Sequence, residues 1–160
     1  DSGQPPEKFG GLLLFFAFMF PIGIILGPLA TLIELGKLTE MTKLSNLEFK
    51  EVVSTFNNRV IIFQLIWFLW SIYLLFPFFK KKDYFPITFI GSLSVNFAIS
   101  FSITLLFAKD ISDINKNAII SDLVWRSYSD PKVVSILLIQ LLWALYFLFS
   151  SRAKNTFNQK

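Results

Sequence analysis

Few residues in this 160-residue chain have side chains that could do chemistry. The chain has no cysteine and no histidine, which excludes a disulfide framework, a zinc site of the usual kind, and thiol or imidazole catalysis. Acid–base or nucleophilic chemistry would have to come from Asp, Glu, Lys, Ser or Tyr. We see no constellation of these groups, and we expect no enzyme activity, no cofactor and no metal site.

Glu34 is the acidic residue placed most suggestively, at the end of a long apolar run. A carboxylate inside the membrane could exchange protons for a cationic solute, as a small exporter requires. Gly36 and Lys37 follow closely, and solvation at the membrane surface explains the position. We therefore expect Glu34 to be interfacial.

The charged residues are confined to short stretches between long uncharged windows. The 15 Lys and Arg and 11 Asp and Glu all lie outside four windows, at residues 9–33, 60–79, 84–108 and 133–151. A helix needs about 20 mostly apolar residues to cross a hydrocarbon core of about 30 Å, and each window fits. The sequence predicts an all-α, polytopic membrane protein, a single domain over residues 1–160 with spans at about 9–34, 60–79, 84–108 and 133–151. The first uncharged run is longer than the roughly 7–15 apolar residues of a signal peptide, so we expect a retained helix.

The connections between the spans predict two helix hairpins and an orientation. A short turn, 80–83, lies between two long loops, 36–59 and 109–132. The side with the termini and the turn holds seven Lys and Arg in 21 residues, and the side with the loops holds eight in 48. The positive-inside rule then favours cytoplasmic termini and extracytoplasmic loops. We attribute the net charge of +4 to this topology and expect no nucleic-acid partner.

Both long loops have the pattern of short amphipathic helices. Ser45 and Glu48 have capping-box spacing, and an apolar stripe follows at Phe49, Val52, Val53 and Phe56. The second loop is less regular and ends at Asp130-Pro131. We expect a small extracytoplasmic cap of two short helices.

Two spans carry residues that could pack helices or line a path. In the third span, Ser92, Asn96 and Ser100 share one helical face, where they would hydrogen-bond to neighbouring helices or line a polar path for a solute. In the first span, Gly23 and Gly27 form a small-xxx-small pair beside prolines that should kink the helix. We favour packing in both cases, because no ionisable group joins them.

Three segments together resemble a known family. They are Gly10-Gly11 with the later Gly27-Pro28, the basic turn from Phe78 to Pro86, and the ending from Trp143 to Phe157, which closes on Ser-Arg-Ala-Lys-Asn-Thr-Phe. This order resembles the YdgK-like bacterial inner-membrane proteins, a family of unknown function. The resemblance implies a bacterial inner-membrane protein of four helices and no assigned activity.

The resemblance also directs attention to the cations beside the membrane. Together these residues would form one basic patch facing the inner leaflet: Lys80, Lys81, Lys82, Arg152 and Lys154. Such a patch attracts anionic head groups, although simple anchoring by the positive-inside rule also explains it.

Two functions remain open from the sequence. The leading hypothesis is an accessory protein in the membrane that binds a membrane protein partner or anionic phospholipid and does no chemistry. The alternative is a small dimeric transporter or channel with a polar path along the third span, a homo-oligomer of this chain.

Overall fold

The computed structural model describes residues 10–43 and 45–157, and within them it contains helices and no strands. The six helices are α1 (Leu12–Met41), α2 (Leu47–Phe79), α3 (Phe85–Ile114), α4 (Ile120–Ser129), α5 (Pro131–Phe149) and α6 (Ser151–Phe157). Three residues used in the sequence analysis lie outside the described residues. They are Phe9, the first residue of the predicted first span, and Lys8 and Lys160, which were counted among the cations.

Four of these helices are long and apolar enough to cross a membrane: α1, α2, α3 and α5. Their most apolar windows have mean hydropathies between 1.8 and 2.4. The prediction of an all-helical protein with four candidate spans is confirmed. Pro21 and Pro28 lie inside α1, which continues through both.

The helix predicted in the first loop is not a separate element, and that expectation was wrong. Residues 47–59 are the first turns of α2, which runs unbroken for 33 residues. No glycine or proline separates the loop stripe from the span, so nothing ends the helix. The N-cap is Asn46, whose Oδ1 accepts from the Phe49 amide at 2.9 Å, one position after the predicted Ser45.

The second loop contains α4, a short amphipathic helix beside α3. Tyr128 packs on Phe97 and Phe101 with ring centroids 6.0 and 5.6 Å away, and this burial raises the pKa of the Tyr128 phenol. Trp125, one turn earlier in α4, has 72% of its surface exposed. α4 ends where Asp130 caps α5 by accepting from the Lys132 amide.

The long helices contact one another as neighbours. α2 packs against α1 and α3, and α3 also packs against α4 and α5. α1 and α5 meet through aromatic rings near Phe16 and Trp143 (4.4 Å). At their other ends Glu34 and Lys132 come within 3.8 Å. We call the two ends of the bundle the α6 end and the α4 end.

The main core lies at the α6 end and is largely aromatic. Phe16 contacts Phe78, Phe89 and Phe147 with ring centroids 5.2–5.4 Å apart. The buried members of this core come from five helices: Leu13, Phe16, Leu74, Phe78, Phe85, Phe89, Phe147, Ala153 and Phe157. Each favourable ring pair adds about 0.5–1.5 kcal/mol beyond area burial. The core therefore ties together α1, α2, α3, α5 and α6.

The α4 end is held by fewer contacts. Phe56 stacks on Phe107 at 4.2 Å, and Arg59 Nη1 lies 3.0 Å from Asp110 Oδ2. Between these contacts and the aromatic core, many apolar side chains on all four long helices are exposed. Exposed apolar surface on a helix of this length faces lipid.

Replacing Phe16 by alanine should lower the thermal unfolding midpoint in detergent, whereas Phe18→Ala on the same helix should change it little. Phe16 is 3% exposed and Phe18 is 64% exposed. The loss at Phe16 should stay below the roughly 3–5 kcal/mol that this change costs in a water-soluble core, because the reference environment here is lipid or detergent. Equal shifts for both variants would contradict the assigned core.

Candidate functional site: the basic α6 end

The lysine turn between α2 and α3 has a defined backbone. The Lys82 amide donates to the Pro77 carbonyl at 2.8 Å and the Lys81 amide to the Phe78 carbonyl at 3.0 Å. Lys81 has a φ of +51°. Together these features make a Schellman motif, in which the residue after the C-cap is left-handed and is usually glycine. The turn therefore fixes the backbone that carries the three lysines.

The short helix α6 folds back onto the aromatic core. Ser150 caps it, its Oγ accepting from the Ala153 amide at 3.3 Å. Ala153, Thr156 and Phe157 are buried, and they share one helical face because they are spaced i, i+3, i+4. Phe157 stacks on Phe85 at 5.2 Å with an interplanar angle of 28°. The segment is therefore part of the fold.

Arg152 lies against the two glycines that precede α1. A Cβ placed on Gly10 would come within 3.2 Å of Arg152 Nη2, and one on Gly11 within 3.2 Å of Nη1. Gly11 also has φ +55° and ψ −129°, a conformation that is essentially restricted to glycine. The Gly-Gly pair thus leaves room for the guanidinium beside the backbone.

These packing contacts bring the predicted basic patch to one end of the bundle. Phe78 and Phe85 flank the lysine turn, and Phe157 packs on both rings. Four of the five cations are exposed (Lys80, Lys82, Arg152 and Lys154), and Lys81 is half-buried. The α6 end is therefore a fixed surface that presents cations.

The polar residues of α3 are used in local hydrogen bonds. Ser92, 7% exposed, accepts from Trp70 Nε1 at 2.8 Å and donates to the Thr88 carbonyl at 2.6 Å. Asn96 and Ser100 are half-buried, and Ser100 Oγ approaches Asn96 Oδ1 at 3.5 Å. The structure thus joins Ser92 to α2, while the hydrogen bond between Asn96 and Ser100 stays within α3.

Gly23 and Gly27 lie on an exposed face of α1. A Cβ placed on either glycine would meet no atom within 4 Å. Within the described residues, the structure therefore brings no other helix against the Cβ positions of this pair.

Sequence reasoning missed three contacts at these sites. It predicted a basic segment after the last span and no helix there, although the spacing of Ala153, Thr156 and Phe157 already marks an apolar face. It did not pair Trp70 with Ser92 or Arg59 with Asp110. No local pattern could have revealed these two pairs, because their partners lie on different helices.

Four apolar helices with a cationic end define a multi-pass helical membrane protein. The chain belongs to the DUF2569 family of proteins of unknown function, whose family model matches residues 6–158. No curated protein and no solved structure matches the chain. The expectation of a family of unknown function is thus confirmed, and the YdgK-like name stays a prediction.

Among residues 10–43 and 45–157, no group of three or more acidic side chains is placed to hold a metal ion.

Gly11→Ala should destabilise the protein, and Gly23→Ala should not. Alanine at position 11 would have an unfavourable backbone conformation, at a cost of about 1–3 kcal/mol, and its Cβ would press on Arg152. Alanine at position 23 replaces a helical glycine in open space, which should be neutral or stabilise the helix by up to about 1 kcal/mol. Thermal unfolding in detergent measures both, and a stabilised Gly11→Ala variant would contradict the arrangement.

Proposed function

We propose that this protein is a non-catalytic membrane protein whose basic α6 end binds anionic phospholipid head groups. One observation carries the proposal: the aromatic core fixes the lysine turn and α6 at the same end of the bundle. Surface lysines that only set topology would not require a packed helix beside them.

Electrostatics explains why this surface would select anionic lipid. A Lys or Arg near an anionic membrane surface contributes about 1 kcal/mol, and the effect fades within a Debye length. Several cations at one end add their attractions, whereas zwitterionic lipid offers little net charge. The fixed backbone also lowers the entropy lost when a head group binds.

The proposal includes an orientation and a location. With the α6 end in the cytoplasm, the lysine-rich turn obeys the positive-inside rule and α4 lies outside. The resemblance described above supports a bacterial inner membrane. A binding surface at this end would then meet the inner leaflet.

The transporter alternative has less support. Ser92 is committed to Trp70 and to its own helix. Ser94, Ser102 and Thr104 each donate to the backbone carbonyl four residues earlier. Hydroxyls satisfied in this way need no aqueous path.

Lys80→Gln and Lys82→Gln should each weaken the binding of phosphatidylglycerol about fivefold, since one cation near the surface contributes about 1 kcal/mol. Native mass spectrometry of the protein in detergent, titrated with phosphatidylglycerol or phosphatidylcholine, measures the bound lipid. Phosphatidylcholine binding should not change.

The matched control is Lys50→Gln, an exposed lysine on the α4-end part of the same helix α2. It should leave phosphatidylglycerol binding unchanged. An equal loss in this control, or no preference of the wild-type protein for the anionic lipid, would overturn the proposal. If Lys80→Gln instead released a protein co-purified from native membranes, the basic end would be a protein-binding surface.

A further inference from the structure

A groove lies between α2 and α3 and runs from Arg59 and Ile103 to Trp70 and Thr88. It encloses about 710 Å³. Its walls are apolar and include strongly exposed side chains at Ile62, Ile66 and Val95. We propose that this groove binds one acyl chain of a phospholipid, with the lipid phosphate at Arg59.

The length of the groove fits an acyl chain. On α2 the lining runs from Arg59 to Trp70, which is 11 positions or about 16 Å at 1.5 Å per residue. On α3 it runs from Ile103 to Thr88, 15 positions or about 22 Å. A bilayer core is about 30 Å thick, so the groove covers little more than one leaflet. A partner's transmembrane helix would need the full thickness.

The two ends of the groove differ in polarity, as a lipid does. At one end Arg59 directly precedes the uncharged window of α2 and has 35% of its side chain exposed. At the other end the indole N–H of Trp70 is bonded to Ser92 Oγ. This bond satisfies the indole N–H of Trp70 with the Ser92 hydroxyl. The end of the groove far from Arg59, which we call the deep end, therefore presents apolar surface.

Arg59 has guanidinium N–H donors available to bind a phosphate. Its Nη1 contacts Asp110 Oδ2 at 3.0 Å, and a guanidinium carries five N–H donors in a planar fork. Arg–phosphate contacts are charge-assisted and often bidentate. Asp110 thus holds the guanidinium at the mouth of the groove while other N–H groups are available to a head group.

Gly91 offers a way to block the deep end. It lines the groove, and a Cβ placed on it would meet no atom within 4 Å. A large side chain at this position would enter the groove without pressing on the backbone of a neighbour.

The test uses a phosphatidylcholine probe with a diazirine near the methyl end of one acyl chain. The wild-type protein is reconstituted with it, irradiated and digested, and the labelled peptides are identified. This net-neutral lipid should not be enriched at the basic end, so the result is independent of the proposed function. We expect labels on α2 near Trp70 and on α3 near Gly91.

Gly91→Phe should reduce labelling of these peptides at least tenfold. The matched control is Gly23→Phe, at a glycine whose Cβ would also meet no atom within 4 Å but which lies outside the groove; labelling of the groove should persist. The double variant Arg59→Gln/Asp110→Asn, which removes the cation without stranding a carboxylate, should reduce labelling several-fold.

Thermal unfolding of each variant shows whether a loss of labelling reflects misfolding. If Gly91→Phe does not fold, Val95→Trp blocks the groove at a second position. Undiminished labelling in a folded blocked variant overturns the proposal. Cross-linking of the groove to protein rather than to lipid overturns it too. Full labelling in the Arg59→Gln/Asp110→Asn variant overturns the placement of the lipid phosphate at Arg59.

Discussion

The structure depends on the packing of Phe16 among rings from other helices. Its ring lies 4.4 Å from Trp143 and 5.2 Å from both Phe78 and Phe147. An apolar side chain that moves from lipid into a protein core gains little free energy from the hydrophobic effect. Shape complementarity and ring contacts therefore supply the attraction between the helices. The positions of the lysine turn, α6 and the start of α1 all follow from this core.

The two ends of the molecule therefore differ in what they can recognise. The α6 end is packed and cationic, and it suits ligands that meet a fixed charged surface. Beyond the core an apolar groove lies between α2 and α3. The rigid charged face suits a lipid head group, and the apolar groove suits an acyl chain.

Composition alone predicted the four long helices, because a charge-free window of about 20 residues leaves few alternatives. Local signals were less reliable at boundaries: Ser45 and Asn46 are both good N-cap residues, and only the backbone decides between them. The predicted loop helix merged with α2 because no residue between them stops a helix. The contact of Arg152 with Gly10 and Gly11 brings α6 against the start of α1, and no single-sequence pattern reports such a distance.

The aromatic core combines residues that are made early in synthesis with residues that are made late. Leu13 and Phe16 are made before any of the four long helices is finished, whereas Ala153 and Phe157 are made after all four. Chains emerge at about 5–20 residues per second, and the ring partners of Phe16 on α2, α3 and α5 are all made before α6. Phe157 is therefore the last ring to join the core. A nascent chain stalled before Ser151 would lack Phe157 and would leave Phe78, Phe85 and Phe147 without the ring that packs on them.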